Sequence, residues 1–183
     1  MTFQTVQIPG VTVIDIEPYH DSRGLFARTC CAREMQQHGL HAMFVQCNIS
    51  FNHKKGTVRG MHWQVAPATE CKLVRCTSGA IYDVIIDMRP DSPTYLQHFG
   101  IYLSAENRRL LYIPEMFAHG YQALCNGAEV AYQVTDYYAP AAERGVRPDD
   151  PAFRIKWPLS VTEVSEKDRS WPDFRNLNLE QTA

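Results

Sequence analysis

Between residues 44 and 138 the sequence repeats one figure, and that figure limits the fold more than any other feature. Short runs rich in Val, Ile, Thr, Tyr and Phe alternate with turn residues, at 44–51, 57–65, 72–77, 80–88, 95–104, 110–113, 120–124 and 130–138. β-Branched and aromatic side chains suit a pleated, half-buried surface. Runs spaced by about ten residues, with turn signals between them, point to a sandwich or barrel. An all-β jelly-roll barrel with short peripheral helices fits this count. Residues 11–16 predict one earlier strand, and Asp21-Ser-Arg-Gly24 a turn. Ser78-Gly79 reads as the turn of a hairpin joining 72–77 to 80–88. The best helix spans 29–40, with Gly39 as its C-terminal cap. The segment from about 140 to 183 is expected to wrap the barrel, with a helical turn at Ser165-Glu-Lys-Asp168. No internal repeat interrupts the chain, so one domain over 1–183 is expected.

Composition closes off several functions. Hydrophobic residues are 45% of 183, enough for a sizeable core. A net charge of −2 gives no basic patch to hold nucleic acid. No apolar run approaches the ~18 residues that a membrane span needs. Met1-Thr-Phe-Gln-Thr-Val has neither a basic start nor an apolar stretch, so a cytoplasmic protein is expected. Six cysteines, Cys30, Cys31, Cys47, Cys71, Cys76 and Cys125, form no C-x-x-C pair. They are expected as free, buried or half-buried small residues.

Two histidines stand out, His62 in Val58-Arg-Gly-Met-His-Trp-Gln64 and His119 in Phe117-Ala-His-Gly120. No His-x-His pair and no following Glu completes a metal set, so proton chemistry without metal or cofactor is expected. Side chains two apart share a sheet face. His62 therefore lies with Val58, Gly60 and Gln64. Lys72 lies with Val74 and Cys76, and Tyr132 with Val130, Val134, Asp136 and Tyr138. A barrel can gather His62, Lys72, Tyr132 and Tyr138 in one interior. Arg59 has the wrong parity unless Gly60 is a bulge. A neutral His takes a proton near neutral pH, a Lys ammonium stabilises an enolate, and a Tyr hydroxyl returns a proton from another side. Asp168 or Asp83 could orient the His. Each has a plainer reading: a packed strand histidine, a Lys reaching solvent, a core Tyr, or an Asp168 that belongs to a Ser-x-x-Asp helix cap.

In this order and spacing, the segments Asp21-Ser-Arg-Gly-Leu-Phe26, Gln46-Cys-Asn48, Val58–Gln64 and Lys72-Leu-Val-Arg75 resemble a known family. So do Asp83-Val-Ile-Ile-Asp-Met-Arg89, Leu103-Ser-Ala-Glu-Asn107, Phe117-Ala-His-Gly120, Tyr137-Tyr138, Trp157-Pro158 and Ser165-Glu-Lys-Asp168. The chain is similar, from about Ile8 to Pro172, to the dTDP-4-dehydrorhamnose 3,5-epimerases, cofactor-free enzymes on a cupin-like jelly roll. The resemblance implies a nucleotide-sugar substrate, most simply dTDP-4-dehydro-6-deoxyglucose. It implies His62 as base, Asp168 as its partner, Lys72 at the enolate oxygen and Tyr132 as the opposing acid. Tyr138 is implied to stack on the nucleotide base. Arg23, Gln46, Asn48, Arg59, His119, Glu143 and Lys167 match binding positions, and a homodimer sharing a strand or arm is implied.

The departures lie at the periphery. Leu25-Phe26-Ala27-Arg28 replaces a Phe-Phe-x-Glu pattern, Cys47 an Asp, and Met116 a Gly; Pro148-Asp149-Asp150-Pro151 replaces Trp-Asn-Asp-Pro. Arg28 can only donate hydrogen bonds, where a carboxylate would accept one from thymine. This marks Arg28 as a candidate base-binding residue and a CDP- or GDP-linked 4-keto sugar as the alternative substrate. Reaction at C3, at C5 or at both stays open, as does a jelly roll that binds the sugar nucleotide without catalysis.

Overall fold

The computed structural model describes residues 1–174. In chain order the elements are β1 (Thr2–Thr5), β2 (Thr12–Asp15), β3 (Tyr19–Asp21), β4 (Gly24–Phe26), α1 (Ala32–Gln37), β5 (Gln46–Asn52), β6 (Val58–Gln64), β7 (Lys72–Ser78), β8 (Ala80–Asp87), β9 (His98–Ser104), β10 (Leu110–Ile113), β11 (Phe117–Ala123), β12 (Ala128–Val134), β13 (Glu143–Gly145) and α2 (Glu166–Ser170). A six-stranded sheet runs β1-β2-β10-β7-β12-β5 and a five-stranded sheet runs β13-β6-β11-β8-β9, both antiparallel throughout. The hairpin β3-β4 stands apart. This is a cupin-like jelly roll, as the strand spacing indicated. No helix among the described residues is long and apolar enough to cross a membrane.

Alternation along the strands sorts side chains into three layers. Val13, Val74, Leu111 and Val130 of one sheet meet Ile81, Ile85, Leu103 and Phe117 of the other in a central core. Each fully buried side chain of this size contributes roughly 1.5–3 kcal/mol. The opposite residues of β8, Val84 and Ile86, pack with Met61, Trp63 and Ala118 beneath Ala142, Val146 and Phe153. The segment after residue 140 therefore covers the outer face of the five-stranded sheet. That is why β8 reads as an almost unbroken apolar run: it is buried on both faces. The part of the expected wrapping tail at 175–183 lies outside the described residues.

The turn at Ser78-Gly79 does not close a hairpin. β7 is flanked by β10 and β12, and β8 by β11 and β9, so the chain crosses here from one sheet to the other. Both edges of β7 are already paired, which leaves no place for β8. Gly79 has φ +70°, and an added Cβ would run into Cys125. Only glycine serves so tight a corner. The helix is also shorter than the expected 29–40. Cys31 is extended at its N-terminus with no side-chain cap, so Thr29 and Cys30 stay outside. Its C-terminus is as expected. Gly39 N–H donates to Gln36 O, and Leu40 N–H to Met35 O, while Leu40 and Met35 share one apolar cluster. Those two bonds and that contact are a Schellman stop. Cys47 also departs from expectation: it is exposed, unlike the other five thiols.

The β8–β9 connection hangs on one buried carboxylate. Asp87 accepts from Arg89 Nη2 at 2.7 Å, Ser92 Oγ at 2.6 Å and Thr94 Oγ1 at 2.7 Å, and the Arg89 guanidinium lies 4.5 Å over the Phe117 ring. Burial alone would raise the Asp87 pKa, but these donors outweigh it and hold it at about 2. The folded pKa is below the unfolded value, so the stabilisation is present above about pH 4 and is lost as pH falls towards 2. About 2–3 kcal/mol is at stake. Urea titrations between pH 6 and 2.5 should show wild type losing that much more stability than Asp87→Asn. Parallel losses would remove Asp87 from the account.

Candidate active site

One mouth of the barrel opens into a cavity of about 900 Å³. The polarity of β5 is inverted around it. Gln46, Asn48, Ser50 and Asn52 face the cavity, while Cys47, Ile49 and Phe51 face outward and are exposed. Polar side chains here line a space for a hydrated ligand rather than a dry core.

A slip in register brings two residues of β6 into that space. His119 stands opposite His62, but Tyr121 stands opposite Arg59, so β6 holds one extra residue between them. Gly60 occupies the bulge with φ +108°, where an added Cβ would overlap the backbone of His119 and Gly120. The bulge turns Arg59 to the same side as His62, as Gly60 suggested. Arg59 Nε then donates to Asn52 Oδ1 at 2.9 Å and Nη2 to Phe51 O at 3.1 Å. Asn52 in turn donates to the Tyr121 hydroxyl at 3.2 Å, and that hydroxyl to Ser50 Oγ at 2.8 Å.

His62 Nε2 lies 2.6 Å from Asp168 Oδ1. Asp168 rides on α2, and both readings of it hold. Its backbone N–H donates to Ser165 Oγ at 3.0 Å as the helix cap, and its carboxylate goes to the histidine. Asp168 Oδ2 also accepts the Gly60 N–H at 3.2 Å. Burial would raise the carboxyl pKa, but the bonds from His62, Gly60 and Ser165 hold it below the usual range. It stays anionic, and an anion beside the imidazole favours the charged form that proton abstraction creates.

Lys72 Nζ enters from β7 of the other sheet, 3.5 Å from His62 O and 3.2 Å from Glu70 Oε1. Tyr132 enters from β12 of that same sheet. Burial first, then the nearby Tyr121 and the Glu70 charge, push its phenol above the ordinary tyrosine value, so it keeps its proton. His119 Nε2 lies 2.8 Å from the fully buried Asp83 Oδ2. Of the two carboxylates considered for His62, Asp168 takes that place and Asp83 serves His119.

Tyr138 reaches the cavity by a different route from the one parity indicated. β12 ends at Val134, so Asp136 and Tyr138 do not continue its face. Instead Tyr138 N–H donates to Gln46 Oε1 at 2.8 Å, and its hydroxyl to Glu143 Oε2 at 2.8 Å. Lys167 Nζ lies 2.6 Å from both Glu143 oxygens. Asn48 lines the wall between them and Tyr132. Burial would raise Glu143, but Lys167 and Tyr138 bring its carboxyl below the ordinary value.

Two expected binding residues are not brought here. Arg23 sits at the tip of β3-β4, its side chain 87% exposed and paired with Asp21 at 2.6 Å. Arg28 is held by Glu34 at 3.0 Å, outside the cavity lining. Conversely, Glu70, Asn52, Ser50 and Tyr121 line the cavity without having been singled out in the sequence. Glu70 has the parity of Lys72, two residues on, and that signal was available. Among the described residues no group of three His, Cys, Asp or Glu side chains is placed to hold a metal ion.

A hydrogen-bonded histidine on one wall, with an ammonium and a phenol on the other, suits proton removal beside a carbonyl and its return from the far side. Known proteins of this build carry that chemistry in their names. The family described as dTDP-4-dehydrorhamnose 3,5-epimerase matches residues 5–176. The dTDP-4-dehydrorhamnose 3,5-epimerase of Methanothermobacter thermautotrophicus is 41% identical over 94% of this chain and 94% of its own. The Legionella pneumophila dTDP-6-deoxy-D-glucose-3,5-epimerase, solved with dTDP-4-keto-L-rhamnose, superposes with a TM-score of 0.92 at 36% identity, covering 98% of this chain and 96% of its own. The Bacillus anthracis dTDP-4-dehydrorhamnose 3,5-epimerase, solved with TDP and PPi, gives a TM-score of 0.90 at 36% identity over 93% and 98% of the two chains. With the sequence match spanning nearly its whole length and the fold agreeing, the chain belongs to the dTDP-4-dehydrorhamnose 3,5-epimerase family.

Proposed function

We propose that this protein converts dTDP-4-dehydro-6-deoxyglucose to dTDP-4-dehydrorhamnose, and that its own side chains carry the chemistry. The 2.6 Å pair of His62 and Asp168, opening on the same cavity as Lys72 and Tyr132, is the observation that supports it. His62 takes the proton from carbon beside the 4-keto group and becomes the imidazolium paired with Asp168. The electron pair moves to the keto oxygen, where Lys72 stabilises it. Tyr132 then delivers its proton to the opposite face of that carbon, inverting it. The phenolate and the imidazolium exchange protons with solvent to reset the site. Arg59 and His119 are proposed to hold the diphosphate, and Tyr138 to stack on the base. The relatives solved with TDP or a dTDP-sugar support thymidine as the nucleoside. The cytidine or guanosine alternative rested on Arg28, which Glu34 occupies. Proton NMR in D₂O with dTDP-4-keto-6-deoxyglucose tests the whole reading. Deuterium should enter at C3, C5 or both, and a folded protein that exchanges neither would end it.

The reading includes a homodimer in the cytoplasm. Six free thiols suit a reducing compartment. β5 is a sheet edge, and its outward Ile49 is 72% exposed, as is Phe26 of the β3-β4 hairpin at 75%. An unpaired edge with apolar side chains facing out calls for cover by another chain. A second copy would supply it and would carry Arg23 towards the other cavity. Ile49→Asp should convert a dimer to a monomer in sedimentation velocity, with the circular dichroism unchanged. A wild-type monomer would refute the dimer.

A further inference from the structure

The cavity holds one acidic side chain that the proton-transfer scheme leaves without a task. Glu70 stands just before β7, its side chain 11% exposed, with Oε1 3.2 Å from Lys72 Nζ. It has no other partner among the described residues. A carboxylate drawn this far from water can only accept hydrogen bonds, and an unfilled acceptor is costly. It also places negative charge where an enolate is to form, so its presence needs a compensating contact.

The chemistry of the substrate supplies one. If Lys72 binds the keto oxygen, the Glu70 carboxylate lies beside the carbonyl, within reach of the groups on its flanking carbons. One flank, C5, carries the ring oxygen and a methyl group and offers no donor. The other, C3, carries a hydroxyl. We infer that Glu70 accepts the C3 hydroxyl of the 4-keto sugar, fixing which flank of the ketone faces β7 and selecting sugars hydroxylated at that carbon. This rests on the reading of Lys72 given above. Tyr132, whose proton the Glu70 charge helps retain, shares that wall.

The test crosses enzyme variants with substrates. Wild type and Glu70→Ala are each given dTDP-4-keto-6-deoxyglucose and its 3-deoxy analogue, and kcat/KM for deuterium entry at C5 is read by NMR. C5 is on the far side of the ketone, so losing the C3 hydroxyl barely changes its acidity. The expected result is a loss of about 10- to 100-fold when either the hydroxyl or the carboxylate is removed, and no further loss when both are. Glu70→Gln, which keeps an acceptor oxygen, should recover most of the rate on the parent sugar and serves alone if the alanine variant does not fold. Equal losses on both substrates, in whichever variant folds, would overturn the inference, leaving Glu70 only to hold Lys72. No exchange by wild type on the parent sugar would overturn the epimerase reading itself, and this one with it.

Discussion

His62→Ala is expected to lower deuterium entry at the sugar carbons beside the ketone by about 10²- to 10⁴-fold, the usual contribution of a positioned general base. The imidazole is the group that Asp168 holds at 2.6 Å over the cavity. Within the cavity lining the remaining carboxylates are otherwise engaged, Glu143 by Lys167 and Glu70 by Lys72. Binding of dTDP, read by calorimetry, should stay within a few-fold of wild type, because Arg59, Tyr138 and His119 are untouched. The alanine leaves Asp168, 4% exposed, without its main partner, so some stability is lost as well. His62→Gln, which can donate to the same carboxylate, separates that loss from the chemical one. Exchange at the wild-type rate in either variant would remove His62 as the base.

Tyr132→Phe should divide the reaction in two. Base and acid approach from opposite sheets, so losing the phenol leaves deprotonation intact and blocks return from the far face. The enolate then collapses on the side it came from, taking deuterium through His62 with retention. Epimerised product should fall by about 10²-fold or more while exchange stays within roughly tenfold of wild type. In wild type the phenol is held above the ordinary tyrosine value. Its proton is therefore present throughout the neutral range and is lost only above pH 10. The activity lost on the alkaline side should thus lie above that value, unless Tyr132 is not the acid. Equal loss of exchange and product in the phenylalanine variant would contradict the assignment in the same way.

The sheet faces were legible because strand alternation is a local property. Lys72, Tyr132 and His62 could be placed in one interior from parity alone, and Gly60 marked the point where Arg59 changes side. Pairing is not local, and so Ser78-Gly79 read as a hairpin although β7 and β8 belong to different sheets. The same limit applies beyond a strand's end: Tyr138 arrives through a loop tied to Gln46, which no periodicity encodes. His62 and Asp168 were joined by resemblance, since 106 residues separate them. Arg23 and Arg28 matched binding positions in sequence, yet within one chain each is turned to an acidic neighbour. The role of Glu70 depends on a contact with Lys72 that only the folded β7 edge creates.

The separation of His62 from Asp168 also orders events in time. A ribosome makes the barrel wall with the base on it long before it makes the short helix that carries the counter-charge. Until that helix docks against Gly60, the histidine is present but unaimed, and the cavity is a mouth without a bite. Competence to turn over substrate is thus acquired at the end of synthesis. It would be the first property lost if the closing segment were clipped or loosened, while the sheets beneath kept their shape.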